Sequence, residues 1–451
     1  MAISSAGIGS NIDVNSLVSQ LLALERRPLD KLNQRKSQYN AEITSFGKIS
    51  SDLSAFQSAV SALKTAESFK VFTATAAEPT YLTSSADSTA SAGSHSITIT
   101  QLAQSQKLFS AAFADTDTTT IGTGSLTIAN GASSFAVTID VTNNTLDGIV
   151  NAVNAASSNF GVSASIVNDG TGYRLLFSPN ETGTAYAVTV AVTDTGDGIN
   201  TDANGLSRLS YTAGGYVLSQ TQAAKNAIIT VDGLTGINSA SNTVTDVIQG
   251  VTLNLKTEGP VSTTLDVAVD TDTITTNATA LVTAYNKLIT DISDLHKKGG
   301  KLEADNTLLT VQAQLVNIFN TPATISGNAY SYLAEVGIAL QSNGTLAINT
   351  ADFKSAVSGG LNDVVNLFTD TTEGFMQRFY SEAATLLQAD GVIDAKNDGL
   401  AAQISGLDIR INQFETRLTS IEARLRKQFS TLDALLGTLS STSNLLSRQL
   451  R

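Results

Sequence analysis

The chain has 451 residues, 42% of them hydrophobic, which is enough apolar material for folded cores spread over about three domains. The absence of cysteine excludes disulfides, thiolate nucleophiles and cysteine-ligated zinc. The net charge is −13, because residues 73–400 contribute −18 from 30 acidic and 12 basic side chains and the two ends contribute +5. The acidic middle disfavours binding to nucleic acid or anionic lipid. No apolar run reaches the roughly 20 residues of a membrane span, and residues 1–18 lack the pattern of a secretory signal peptide.

Residues 14–66 are predicted to form a helix, because their apolar residues recur at steps of three and four that are typical of a coiled coil. Pro28 predicts a break or kink in the first part of this helix. The apolar stripe consists of Leu17, Leu21, Leu24, Leu32, Tyr39, Ile43, Phe46, Ile49, Leu53, Phe56, Val60 and Leu63.

Residues 75–272 are predicted to form antiparallel β-structure, because short runs of alternating apolar and polar residues are separated by turn residues. Such runs are residues 96–100, 125–128 and 135–139. One helix is predicted within this region, with Thr145 as its N-cap. The apolar face of that helix consists of Leu146, Ile149, Val150 and Val153.

Helical periodicity returns near Thr275 and predicts four further helices before the last one. The second of these runs through residues 308–318 and stops before Pro322, and two more are predicted at residues 351–369 and 371–389. A hairpin is predicted within residues 333–350, with its turn at Ser342-Asn343-Gly344.

The last predicted helix, residues 402–445, has a heptad seam with one stutter between Leu425 and Phe429. A seam of this kind needs a partner helix, and the N-terminal stripe is predicted to provide it. We interpret the same seam as a surface for oligomerisation and partner binding. Its residues are Leu407, Ile411, Phe414, Leu418, Ile421, Leu425, Phe429, Leu432 and Leu436, followed by Leu439.

Charged residues flank this seam at seven-residue intervals. The acidic flank consists of Asp408, Glu415 and Glu422, and the basic flank consists of Arg410, Arg417 and Arg424. In a parallel pair of such helices, Arg410 of one helix faces Glu415 of the other, and Arg417 faces Glu422. We therefore predict that the C-terminal helices of adjacent subunits run parallel; the alternative is a solvated helix with alternating charge.

Paired terminal helices with β-structure between them predict an α+β fold, in which a helical coiled-coil stalk carries inserted β-rich head domains. We expect residues 1–40 and 405–451 to form a terminal helical leg region that is mobile in the free subunit. The other predicted domains are a helical stalk (41–75 and 273–404), a β-rich head (76–107 and 223–272) and an outer β-rich head (108–222).

We find no catalytic constellation. The two histidines, His95 and His296, are far apart in sequence, and neither H-E-x-x-H nor G-x-S-x-G occurs. Residues 200–205 are similar to the front of a calcium loop, but Tyr211 stands where the bidentate glutamate belongs, so an Asx-rich turn is the preferred interpretation. We predict no enzyme activity, no cofactor and no metal site.

Four stretches carry a family resemblance: residues 7–29, residues 145–154 with 167–175, residues 223–233 with 241–255, and residues 336–368. The first has a Gly-x-Gly-Ser, an Asp, a Leu-rich helix and an acidic-x-x-Pro-Leu. The second resembles the hook IN motif that flagellar axial proteins share, and the third is the most specific. Together, and in this order, they resemble the FliD family of flagellar filament caps, also called second hook-associated proteins.

This resemblance implies a capping protein at the distal end of the bacterial flagellar filament. It implies a ring homo-oligomer, often a pentamer, that retains exported flagellin and promotes its insertion into the filament. The implied partners are flagellin, hook–filament junction proteins and a cytoplasmic export chaperone that binds the C-terminal region. It also implies export by the flagellar type III system to an extracellular location at the flagellum tip.

Other classes of protein stay open at this point. A hook–filament junction protein or a flagellin also has helical ends around β domains, although residues 226–255 and Pro28 favour the cap. A surface adhesin, whose β head contacts host glycans, is compatible with capping. A β-rich hydrolase is disfavoured, because the sequence lacks the carboxylate, histidine and serine constellations that such an enzyme needs.

Overall fold

The structure, a computed structural model, describes residues 13–449 and divides the chain into two compact units. One unit combines the two ends of the sequence, Met1–Phe69 and Thr271–Arg451, and its described part is mainly helical. The other, Lys70–Asp270, is contiguous and mainly β-structure. The α+β class predicted from the sequence is confirmed. The residues 7–12 that opened the first resembling stretch lie outside the described residues.

We number the helices of the described chain in sequence order. They are α1 (Val14–Ser61), α2 (Leu146–Asn154), α3 (Thr271–His296), α4 (Asn306–Asn320), α5 (Thr350–Gly359), α6 (Leu361–Thr369), α7 (Phe375–Leu387) and α8 (Val392–Gln449).

The strands are numbered in the same way. They are β1 (Phe72–Ala76), β2 (Leu82–Ala86), β3 (Gly93–Gln101), β4 (Lys107–Phe109), β5 (Gly124–Ala129), β6 (Ser134–Ile139), β7 (Val162–Asn168), β8 (Tyr173–Pro179), β9 (Thr189–Asp194), β10 (Tyr211–Thr212), β11 (Gly215–Tyr216), β12 (Ser219–Gln222), β13 (Ala227–Val231), β14 (Leu234–Ser239), β15 (Thr243–Ile248), β16 (Val251–Leu255), β17 (Thr263–Val269), β18 (Ile338–Leu340) and β19 (Leu346–Ile348).

Helix α1 is continuous through Pro28, so of the predicted break or kink the break is wrong, and the kink stays a prediction. A proline inside a helix removes one backbone hydrogen bond and costs about 3 kcal/mol. Leu22 before the proline and Leu29 after it are both buried, and each packs with residues of α8. Packing on both sides of Pro28 therefore holds the helix across the missing bond. The helix ends at Ser61, five residues before the predicted end.

Aromatic side chains form the centre of the helical unit. Tyr285 of α3 is fully buried, and its ring lies 5.7 Å from that of Phe56 in α1 and 5.2 Å from that of Phe319 in α4. Phe379 of α7 lies 5.6 Å from Phe56. These edge-to-face contacts join four helices and fix the C-terminal half of α1.

The small elements between α4 and α8 agree with the prediction in kind but not in every boundary. The hairpin is confirmed as β18 and β19, which pair in antiparallel register. The helix predicted at residues 351–369 is two helices, α5 and α6, separated at Gly360. The helix predicted at residues 371–389 is the shorter α7, because Asp370 caps a turn through the N–H groups of Thr372 and Glu373. Helix α8 begins ten residues before the predicted start.

Two β cores make up the β unit, and its strand pairings within the described chain are antiparallel, as predicted. One core lies with the sheets β1-β17-β3-β13-β14 and β15-β16-β2. The other lies with the sheets β11-β10-β9-β5-β6 and β12-β4-β8-β7, and it includes the apolar face of α2. Sheets of this kind bury one face and leave alternate polar side chains in solvent.

Helix α2 is built as the sequence predicts. The Thr145 hydroxyl caps it by accepting a 3.2 Å hydrogen bond from the Gly148 N–H. Its buried residues are Leu146, Ile149 and Val153. A Cβ at Gly148 would lie 2.4 Å from the carbonyl oxygen of Asn143, so only glycine allows this close approach.

Candidate assembly interface

The terminal helices α1 and α8 pair with each other in antiparallel orientation. Near the start of α1, Val14, Val18 and Leu22 form a cluster with Ile421, Leu425 and Phe429 of α8. Further along α1, Leu29 and Leu32 form a second cluster with Ile411, Phe414 and Leu418. The partner that the sequence analysis predicted for the C-terminal seam is therefore the N-terminal helix of the same chain.

Before Pro28, the face of α1 that meets α8 is not the predicted one, although Leu32 of the predicted stripe does pack against α8. Val14, Val18, Leu22 and Leu29 are buried, whereas the predicted stripe residues Leu17, Leu21 and Leu24 are 38%, 42% and 57% exposed. Two apolar stripes overlap in this part of the sequence, and periodicity alone does not rank them. The signal that the sequence analysis missed is the seven-residue interval from Leu22 to Leu29, which continues the correct stripe across Pro28.

The predicted seam of α8 divides into a covered part and an extension. Leu407, Ile411 and Leu418 are buried. Phe414, Ile421, Leu425 and Phe429 are half-buried against α1. Leu432 is 43% exposed and Leu436 is half-buried, and both lie beyond the level at which the described part of α1 begins. The role of this seam in oligomerisation stays a prediction, and α1 already occupies most of it.

Two of the three acids on the acidic flank of α8 form ion pairs within the chain. Asp408 forms a 2.5 Å ion pair with Lys36 of α1, and Glu422 forms a 2.8 Å ion pair with Arg426. Arg426 also donates a 2.9 Å hydrogen bond to the side-chain oxygen of Asn15. The third acid, Glu415, lines a cavity of about 370 Å³ together with Leu22, Arg26, Leu29, Leu418, Thr419 and Glu422.

The basic flank of α8 is different. Arg410, Arg417 and Arg424 are exposed, and within residues 13–449 no carboxylate lies at ion-pairing distance from any of them. Arg410 lines a cavity of about 220 Å³ whose other residues include Arg35 and Tyr39 of α1. Two of the three flank acids are thus paired within the chain, whereas none of the three flank arginines has an ion pair within residues 13–449.

Ionic contacts anchor the C-terminal half of α1. Lys48 of α1 lies 2.6 Å from Asp291 of α3, and Lys287 pairs with both Asp291 and Asp52. Burial raises the pKa of Asp52, and its neighbour Asp291 raises it further. Burial opposes ionisation of Asp291, but the hydrogen bonds from Asp52, Lys48 and Lys287 outweigh it and lower the pKa of Asp291. Asp52 therefore binds a proton more readily than an isolated aspartate, and Asp291 binds one less readily.

The polar groups that the sequence analysis considered for chemistry have structural partners. The His95 ring lies 2.8 Å from the carboxylate of Asp232, which also accepts a 2.8 Å hydrogen bond from the Ser96 N–H. His296 lies in the last turn of α3. In the calcium-like loop, Asp202 accepts hydrogen bonds from both nitrogens of Asn204, so its carboxylate shapes the turn.

Residues 13–449 hold no group of three or more His, Cys, Asp or Glu side chains arranged to bind a metal ion. In that part of the chain, none of the helices combines the length and apolarity that a membrane span needs.

Comparisons with known proteins agree with this architecture. Residues 224–441 match the family model of the flagellar hook-associated protein 2 C-terminus, residues 10–106 match that of its N-terminus, and residues 125–178 match the flagellin hook IN motif. The chain is 32% identical over 469 residues to flagellar hook-associated protein 2 of Escherichia coli strain K12, which covers 99% of this chain and 98% of that relative. It is also 32% identical over 470 residues to the A-type flagellar hook-associated protein 2 of Pseudomonas aeruginosa, covering 98% and 96% of the two chains.

Among solved structures, the chain is similar to the crystal structure of the flagellar cap protein FliD D1-D2-D3 domains from Escherichia coli. The TM-score is 0.66 at 32% identity, and the match covers 79% of this chain and 99% of that one. The fold and these matches define a structural protein of the flagellum rather than an enzyme. The chain belongs to the flagellar hook-associated protein 2 family, the FliD cap proteins, whose known role is to cap the flagellar filament.

Proposed function

We propose that this chain caps the distal end of the bacterial flagellar filament as a ring homo-oligomer that retains exported flagellin and promotes its insertion. The observation that carries this proposal is the 32% identity to flagellar hook-associated protein 2 over 99% of the chain. The three family models match in the expected order along the sequence, which supports the same conclusion. No step of this function requires a catalytic residue.

The shallow burial between α1 and α8 suits a cap that moves outwards as the filament grows. Two small apolar clusters, the exposed Lys36–Asp408 ion pair and the Asn15–Arg426 hydrogen bond hold these helices together over most of the length of α1 before Lys36. Exposed ion pairs contribute only about 0.2–1 kcal/mol each. A contact of this kind is remade at modest cost, which a cap needs each time a subunit is inserted beneath it.

The finer assignments are part of the same proposal. The leg regions (1–40 and 405–451) reach the filament, the stalk (41–75 and 273–404) supports them, and the β-rich heads (76–107 with 223–272, and 108–222) form the ring, which we infer to be a pentamer. The partners are flagellin, the hook–filament junction proteins and a cytoplasmic export chaperone at the C-terminal region, and export uses the flagellar type III system. In the assembled ring, the extension of α8 at Leu432 and Leu436 is the part of the seam available to neighbours.

Gene deletion tests the proposal. We expect intact hooks, unpolymerised flagellin in the medium and loss of swimming, all restored by a plasmid copy of the full gene. A plasmid copy that ends after Phe429 is the matched comparison, and we expect it not to restore swimming. Filaments of normal length on the deletion strain would end the capping proposal.

A further inference from the structure

An exposed row of leucines lies on α1 beside the face that packs on α8. Leu17, Leu21 and Leu24 follow each other at steps of four and three, so they share one side of the helix. Their exposed fractions are 38%, 42% and 57%, although the neighbouring Val18 is fully buried. Single exposed leucines are ordinary on protein surfaces, but three in one row form an apolar stripe.

This leucine row lies on the same side of the helix pair as the unpaired arginines. Arg35 follows Leu21 by two heptads and therefore continues that side of α1, and it shares a cavity with Arg410 of α8. Arg417 and Arg424 follow Arg410 at seven-residue intervals on α8. We name the surface formed by Leu17, Leu21, Leu24, Arg410, Arg417 and Arg424 the leucine–arginine face.

The two helices that form this surface also lie side by side over the same length. The contacts Lys36–Asp408 and Asn15–Arg426 fix the antiparallel register of α1 and α8. In that register Leu17, Leu21 and Leu24 lie opposite the stretch of α8 that contains Arg417 and Arg424. The face thus combines an apolar stripe with a row of positive charges over the same length, and both rows repeat with the heptad period of a coiled coil.

Charge decides what fits this face. A second copy that presents the same face would place arginine against arginine, which opposes association. Two of the three acids on the acidic flank of a second copy, Asp408 and Glu422, are already paired with Lys36 and Arg426 of their own chain. The complementary partner is a helix with its own apolar stripe and with carboxylates at every seventh position, because a heptad-periodic groove accepts a third coiled-coil strand.

We propose that the leucine–arginine face binds an acidic amphipathic helix of a partner protein, which packs as a third strand against α1 and α8. The helix places apolar side chains on Leu17, Leu21 and Leu24 and carboxylates opposite Arg417 and Arg424. The proposal does not rest on the capping role, since it follows from the exposure and charge of these side chains alone.

The experiment titrates two synthetic peptides of about four heptads into the purified full chain. Both peptides have Leu at a and d positions; one has Glu at every e and g position, and the other has Lys there. Like charges keep each peptide from pairing with itself, so both enter the titration as single chains. We expect the Glu peptide to bind at least about tenfold more tightly than the Lys peptide at low salt, with the difference shrinking as salt is added.

Variants locate the site. Leu21→Asp and the double change Arg417→Glu with Arg424→Glu should each weaken binding of the Glu peptide by about fivefold or more. Ile409→Asp and Lys427→Glu make the same chemical changes at exposed positions of α8 outside the face, and they should leave binding unchanged. Circular dichroism of each variant checks that the helices persist.

Three results would overturn the inference. The first is equal binding of the two peptides, and the second is Glu-peptide binding that survives both changes in the face. The third is binding of anionic phosphatidylserine vesicles without binding of the Glu peptide, which would assign the face to a lipid surface. Swimming of the complemented deletion strain is scored separately, so failure of the capping proposal and failure of this inference are distinguishable.

Discussion

Replacing Ile411 by Ala tests whether the apolar seam holds the terminal helices together. Ile411 is 8% exposed and belongs to the cluster with Leu29 and Leu418, whereas Ile409 on the same helix is 57% exposed. Ile409→Ala is therefore a matched control, because it makes the same chemical change and the same gain in helix propensity two residues away. Any difference between the two variants reports burial against α1.

The expected magnitude follows from the exposed fractions. Each change removes roughly three methylene groups, worth about 0.8 kcal/mol each when fully buried. Scaled by burial, the loss is about 2 kcal/mol at Ile411 and about 1 kcal/mol at Ile409, and any cavity left at Ile411 adds to the first figure. The free energy of opening the helix pair should thus fall by about 1–2 kcal/mol more for Ile411→Ala than for the control.

Hydrogen exchange followed by mass spectrometry measures this local opening. Peptides from residues 14–29 and 411–429 should exchange about 5–30-fold faster in Ile411→Ala than in Ile409→Ala, since every 1.4 kcal/mol is a factor of ten. Peptides from the β unit should not change and serve as an internal reference. Equal exchange in the two variants would show that the α1–α8 seam contributes nothing to holding the helices, and the reasoning would be wrong.

Two further changes test polar contacts in the helical unit. Burial alone would raise the pKa of Asp305, but hydrogen bonds from Lys396 and Thr307 outweigh this effect and lower the pKa. The ionised carboxylate therefore stabilises the fold above its unfolded pKa of about 4, and this stabilisation is lost as the pH falls through the folded pKa. Lys396→Met should lower the free energy of unfolding by about 1 kcal/mol at neutral pH. Urea titrations should show that the difference in stability between this variant and the unchanged protein shrinks in acid. If that difference is the same in acid as at neutral pH, the ion pair with Asp305 is not its source. Asn286 holds both the N–H and the C=O of Leu346, at 2.6 and 2.8 Å, so Asn286→Leu should cost about 2 kcal/mol and speed exchange in the β18–β19 hairpin. Asn286→Asp keeps only the acceptor and should have an intermediate effect, and equal exchange in all three proteins would exclude this bridge as a support.

The sequence predicts those parts of the fold whose period is unambiguous. The heptad seam of α8, the cap of α2 at Thr145 and the antiparallel hairpin at residues 338–348 each depend on a local pattern that has one structural solution. The partner of the seam was predictable too, because a helix of that length cannot bury its apolar stripe alone.

The errors have a different origin, because each concerns a choice made by packing between distant residues. The stripes through Leu17 and through Val18 are equally good helical patterns, and contact with α8 buries the second one. From the sequence alone, Pro28 predicts a break or kink, and only the structure shows that Leu22 and Leu29 are buried on either side of it. The charge flanks were similarly ambiguous, since only the structure shows that Lys36 engages Asp408 while Arg417 has no carboxylate near it within residues 13–449.

The order of the units along the chain has a consequence for folding. The β unit is contiguous, so its pairings need no residue outside 70–270. The helical unit needs both ends, since the Lys36–Asp408 contact joins residues 372 apart and α3 and α7 pack on the second half of α1. Contacts of such sequence separation form slowly because the intervening loop must first be closed, and here the folded β unit shortens that loop by holding residues 72 and 269 in register. We therefore expect the helical unit to close after the β unit, so that α1 presents both of its apolar stripes until α8 covers one of them.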